Sequence, residues 1–174
     1  MLDLLITNAT LPDGRQSISV AVRDGRIVEV APGLQAPAHE TIDAGGLLLS
    51  PPFVDAHFHL DSALTYGQPR VNASGTLLEG IALWGELKPT LTHEAIVERA
   101  LAYCDGAVAQ GLLAIRSHVD TSDPRLLAVQ ALLDVKQRVA PYLDLQLVAF
   151  PQDGVLRHPG GLDNLQRALA LGVD

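Results

Sequence analysis

The hydrophobic pattern of this chain changes period at Pro51-Pro52, and that change limits the folds open to it. Before the prolines, apolar and polar residues alternate in short runs. Leu4, Ile6 and Ala9 lead to the turn signal Pro12-Asp13-Gly14. Ser17 to Val22 and Arg26 to Val30 then follow the two-residue period of half-buried strands. They are joined at Asp24-Gly25, residue types that accept positive φ at both central positions of a tight hairpin turn. A further extended piece surrounds Thr41-Ile42-Asp43. Residues 1–50 therefore read as a β meander, which by itself buries too little apolar surface to be secure and needs a partner.

After the prolines, strand and helix alternate. Phe53 to His59 reads as a strand, residues 60–75 as loop, and Leu77 to Leu87 as a helix. A longer helix runs from Thr92 to Gln110, with Thr92 as its cap, Glu94 in the first turn and Gly111 as its stop. Ile96, Leu101, Ala107 and Val108 supply much of its apolar stripe. Leu112 to His118 is the next strand. Asp123-Pro124 is expected to open a helix running to Pro141, with the acid as cap and proline at the first helical position. Leu143 to Phe150 is a third strand, and Leu162 to Leu171 a last helix ending at Gly172.

This order implies a parallel sheet with right-handed crossovers. A doubly wound open sheet and a (β/α)₈ barrel compete, and the turn after the first strand lacks the glycine-rich phosphate loop of the nucleotide-binding open sheet. A barrel of ~250 residues uses roughly 31 per unit. Residues 51–174 would then supply about the first three β/α units, so the chain is expected to be the front part of a longer protein.

Composition narrows the partners. Twelve Lys+Arg against 20 Asp+Glu give a net charge of −8, the wrong sign for binding nucleic acid. No apolar run approaches the ~20 residues that span a bilayer. Met1-Leu2-Asp3-Leu4-Leu5 carries an acid where a secretion signal needs basic residues. The single cysteine, Cys104, forbids an internal disulfide and any cysteine-rich zinc site, and reads as a small core residue. Trp84 is expected to pack a helix against the barrel. A cytoplasmic protein with no membrane association is expected, and a homo-oligomer when full length.

The residues that can carry chemistry lie where strands end. His57 and His59 are two apart in a strand, so both imidazoles project from one face and can converge on one metal ion. Without thiolates, the ion favoured is a borderline divalent one, Zn²⁺ or Fe²⁺. Asp55 has the same parity and faces inward if the strand is regular, as a further ligand, a support behind the ligands, or a hydrogen-bonded carboxylate at the barrel bottom. Asp61 can orient an imidazole or cap the loop. His118 and Asp120 share a face at the end of the second strand, as substrate contacts or as a packed polar network at the rim. Gln152, just past the third strand, carries both a donor and an acceptor, which suits reading a heterocyclic amide edge, although by position alone it reads as an exposed loop residue. His39, His93 and His158 read as solvated.

The run from Pro51 to Asp61 resembles the first-strand motif of the amidohydrolase superfamily, closest to its cytosine deaminase branch. Gly67-Gln68-Pro69, Asn72 to Leu77, Leu91-Thr92-His93, Arg116 to Asp120 and Leu145 to Gln152 are similar to that branch and keep its order. Asp55, where the branch often carries glutamate, Phe58 and the Asp61–Tyr66 stretch depart from it. The resemblance implies a metal-dependent (β/α)₈ barrel hydrolase with a small β-sandwich built from both chain ends. His57 and His59 would be metal ligands, Gln152 would bind the pyrimidine edge, and Leu77 would line the pocket. The other ligands, and the glutamate and histidine that shuttle protons, would lie beyond residue 174. The implied reaction is hydrolytic deamination of an amino-substituted heterocycle, cytosine-like, by metal-activated water. Hydrolysis of N-alkylamino triazines or a cyclic amide is the alternative with the same fold. A different class, a non-catalytic fragment or assembly module, stays open because two histidines seldom hold a catalytic ion alone.

Overall fold

A computed structural model describes residues 1–174, which form two compact units, Met1–Pro51 and Pro52–Asp174. No helix is long and apolar enough to cross a membrane.

The alternating runs of the first unit form one sheet of β1 (Leu2–Ala9), β2 (Ile18–Arg23), β3 (Arg26–Pro32) and β4 (Ala38–Asp43). Its order is β3-β2-β1-β4, antiparallel except for the β1–β4 pair. At the β2–β3 turn Asp24 and Gly25 have φ of 51° and 67°, the positive pair that a twisted two-residue hairpin requires. The apolar cluster here is small: Leu2, Leu5 and Ala21, with Leu34 and Ala38 against them. Ile27, Val28, Val30 and Ile42 are exposed.

The second unit places β5 (Phe53–Phe58), β6 (Leu112–Asp120) and β7 (Asp144–Phe150) in one parallel sheet of that order. Its helices are α1 (Leu77–Leu87), α2 (His93–Ala109), α3 (Leu127–Val139) and α4 (Gly161–Ala170). The helix starts at α1 and α2 follow their caps. Thr76 accepts a hydrogen bond from Glu79 N, and Thr92 accepts one from Ala95 N. Gly111, at φ 82°, closes α2 in the left-handed conformation. Ile115, Val119, Leu145 and Leu147 of the strands are buried with Ile96, Ala100 and Cys104 of α2 and Val129, Leu132, Val135 and Val139 of α3.

Two sequence expectations shift. The buried stripe of α2 is Ile96, Val97, Ala100 and Cys104, while Leu101, Ala107 and Val108 lie at the edge of the packed face and are only partly buried. Helix α3 begins at Leu127, not at Asp123-Pro124. The Asp123 carboxylate is taken locally by the Arg125 backbone N (2.9 Å) and guanidinium (2.7 Å), so it closes a turn instead of capping a helix. Leu126 is then drawn fully into the core at φ 50°, which interrupts any helix through it.

One glycine is required by space. A Cβ on Gly161, at the start of α4, would meet Val155 O at 2.5 Å.

Leu132 is fully buried between α3 and its neighbours. Leu132→Ala is expected to cost about 2–5 kcal/mol in urea unfolding. Leu113→Ala, at a site 39% exposed, is expected to cost well under half of that.

Candidate active site

Because β5, β6 and β7 are parallel and adjacent, their carboxyl ends lie along one edge of the sheet. Phe58 pairs with Ser117, Ser117 with Leu147 and Asp120 with Phe150, so the chain leaves all three strands there.

The first strand is not regular. Asp55 pairs with Ile115 and Phe58 with Ser117, so β5 carries one extra residue between those positions. Phe58 lies on the helix side, stacked on Tyr103 of α2 with ring centroids 4.2 Å apart. His57 and His59 flank it on the other face, 5.4 Å apart. The inward orientation expected for Asp55 fails because the extra residue reverses its parity, leaving it on the face of buried Ile115. Its Oδ1 accepts a hydrogen bond from His57 N at 3.1 Å.

His118 stacks on His57 at 3.9 Å, and Phe150 closes the cluster at 5.2 Å from His59. Burial lowers the His59 pKa, and the neighbouring His57 and His118 add to that. His118 is lowered by burial and by His57. Both favour the neutral imidazole, and for His59 that is the form that binds a metal. The donor set on this face therefore fits a borderline divalent ion, but only as part of a site. No group of three His, Cys, Asp or Glu residues in the chain is placed to hold one.

A cavity of about 330 Å³ opens beside the pair, lined by His59, Asp61, Leu77, Trp84, Asp120 and Gln152, with the Tyr66–Asn72 loop at its rim. Six residues singled out in the sequence thus meet in one space. His57 borders a neighbouring groove that shares His59 with it, and His118 lines neither.

Asp61 is fully buried. Its Oδ2 accepts from Asp120 N (2.8 Å) and its Oδ1 from Ser62 N (3.0 Å), so it ties the ends of β5 and β6 together rather than orienting an imidazole. Burial pushes this carboxyl up to about 7. Arg99 of α2 secures the same loop by donating to the carbonyls of Ala63 and Asp61.

Asp120 sits in a packed polar network. Its Oδ2 accepts from Trp84 Nε1 at 2.8 Å and lies 2.7 Å from Lys88 Nζ, while Oδ1 accepts from Ser122 N at 2.7 Å. Burial opposes its ionisation, but Lys88, Ser122 and Trp84 outweigh that and hold its pKa low. Trp84 is therefore a polar wall of the cavity as well as a packing residue. Lys88 was not singled out by motif. Its signal is the spacing of Trp84 and Lys88, four apart across the end of α1, offering two donors to an acid.

The rim loop is held by charge. Arg70 bridges Glu79 (2.6 Å) and Glu86 (3.0 Å), and Ser74 N donates to Glu79 at 2.6 Å. Hydrogen bonds from Ser74, then Arg70, bring Glu79 down from 4.5 to about 2.

A parallel β/α sheet with a histidine pair at the end of its first strand defines a class, and the chain belongs to the amidohydrolase family, whose profile matches residues 40–171. It is 31% identical over 177 residues to an N-isopropylammelide isopropyl amidohydrolase of Pseudomonas sp. strain ADP, covering 99% of this chain and 44% of that protein. Among solved structures it is similar to a 5-methylcytosine deaminase from Klebsiella pneumoniae liganded with 5-fluorocytosine. That match has a TM-score of 0.92 and 42% identity, over 98% of this chain and 42% of the other. An N-isopropylammelide isopropylaminohydrolase from Burkholderia multivorans matches with a TM-score of 0.83 and 30% identity, over 100% of this chain and 44% of the other. The chain spans less than half the length of these relatives.

Two outcomes follow for the site's frame. In Asp61→Asn the amide can accept only one of the two backbone N–H bonds, so a loss of about 1–3 kcal/mol is expected in denaturant unfolding. The lowered pKa of Glu79 means its contribution is complete above 4.5 and is lost as pH falls towards 2. Protection of residues 70–79 against hydrogen exchange, taken relative to the intrinsic rate at each pH, should fall across that acid window in the wild type and stay flatter in Glu79→Gln.

Proposed function

We propose that the complete protein is a metal-dependent hydrolase that releases ammonia from an amino-substituted heterocycle, with a cytosine-like ring as substrate. The observation that carries this reading is the meeting of His59, from the end of β5, and Gln152, just past β7, on one cavity. The 42% identity to a deaminase liganded with 5-fluorocytosine supports the choice of ring.

His57 and His59 would hold one divalent ion, Zn²⁺ or Fe²⁺, with further ligands beyond residue 174. When bound, the ion supplies Lewis-acid activation of water. The lowered pKa of the half-buried His59 ring favours the form whose lone pair is available to a metal. Gln152 presents a donor and an acceptor to the ring's amide-like edge, which fixes its orientation. Leu77, at the opening of α1, gives the cavity an apolar side for the ring face. The Lys88–Asp120 pair leaves the Asp120 charge compensated at the cavity wall, so a neutral ring can enter. The residues that carry protons to the ring and the leaving amine would also come from beyond residue 174.

A second reading keeps the fold and changes the bond. The similarity to N-isopropylammelide isopropyl amidohydrolase along 99% of this chain favours an N-alkylamino triazine, from which an alkylamine would leave.

Full-length protein assayed on cytosine, isocytosine, creatinine and triazines is expected to release ammonia from a pyrimidine. His57→Ala and His59→Ala should each lower metal content and turnover at least about 100-fold. Release of alkylamine in place of ammonia would move the assignment to the second reading. Silence on every ring amine would overturn both.

A further inference from the structure

We propose that Lys88 and Asp153 are positioning residues that clamp the Gln152 turn to helix α1 and so set the width of the cavity; this rests on the reading of Gln152 as the amide that contacts the ring. Gln152 follows the end of β7 in a tight turn, closed by Gly154 N donating to Pro151 O at 2.8 Å. A residue at the tip of such a turn is free to swing unless something outside the turn holds it. Two bonds do so at the next residue. Asp153 N donates to Ser122 Oγ at 3.0 Å, and the Asp153 carboxylate lies 3.2 Å from Lys88 Nζ.

Both holding groups are themselves anchored on Asp120. Lys88 Nζ is 2.7 Å from its Oδ2, and Ser122 N donates to its Oδ1 at 2.7 Å. An exposed ion pair alone is worth little, because two long side chains must be ordered to make it. Here Lys88 is only 14% exposed and already ordered by Asp120, at 3%. Little further ordering is therefore needed for Asp153 to bind it, although the aspartate is 44% exposed.

The clamp also joins opposite sides of the cavity. Lys88 directly follows α1, the helix that supplies Leu77 and Trp84 to one wall, and Asp153 directly follows Gln152 on the other. Its length therefore controls the gap that a planar ring must fill.

The test is Asp153→Ala in the full-length protein, which leaves the Lys88–Asp120 pair intact and so spares the fold. Hydrogen exchange of residues 152–154 is expected to rise. With 5-fluorocytosine as the binding probe, Kd should rise about tenfold. KM for the processed ring should rise with it, and kcat should change less than about threefold. Asp153→Asn keeps an acceptor for Lys88 and should recover part of the loss. In a Gln152→Ala background the Asp153→Ala effect should shrink to less than about twofold, since the clamp acts through that amide. Unchanged exchange in Asp153→Ala, or an equal penalty with and without Gln152, would overturn the clamp. A wild type that binds no ring amine would instead overturn the proposed function, while exchange would still decide whether Asp153 orders the turn.

Discussion

Parallel strands cannot be joined by a tight turn, so every return from β5 to β6 and from β6 to β7 must cross through helical chain. That constraint has two consequences here. It buries one face of the sheet under helices, where Ile115, Val119, Leu145 and Leu147 are enclosed with residues of α2 and α3. It also brings every strand out at the same edge, so residues far apart in sequence converge without any contact between them having to specify it. His59, Asp120 and Gln152 reach one cavity for that reason.

Convergence alone would leave the edge soft, since each strand end passes into loop. The polar groups of this edge are bonded to one another across the strands. Asp61 binds the backbone of β6, Asp120 binds Trp84 and Lys88 from the α1 region, and Ser122 binds the turn after β7. Buried carboxylates are costly unless matched, and each oxygen of Asp61 and Asp120 has a partner. Matched this way, the charges add rigidity where catalytic or binding side chains need it. The two acids nevertheless behave differently. Asp61 has only backbone donors and is pushed towards the neutral form, whereas Asp120 has an ammonium beside it and stays ionised.

Much of the secondary structure was legible because it depends on local rules. Thr92 caps α2, Gly111 ends it, and Asp24-Gly25 makes the hairpin turn. The same rules failed where a nearby side chain competed. Asp123-Pro124 has the form of a helix start, yet Arg125 takes the carboxylate first. Asp55 has the parity of His57, yet a single inserted residue turns it to the other face. At the site, single residues near strand ends were readable, but not the partners that hold them. Lys88 meets Asp120 across 32 positions and Asp153 across 65, and no motif spans such distances.

The sequence by itself determined the alternation of strand and helix, the pairing of His57 with His59 on one face, and the family. Period, caps and the residues around the first strand are properties of short stretches. Only the tertiary structure decided which polar groups are buried, which partners Asp61 and Asp120 bond to, and that Trp84 lines the cavity with Lys88 bonded behind it. Those outcomes depend on how the α1 region and three strand ends meet in space, where a shift of one residue in register changes every partner.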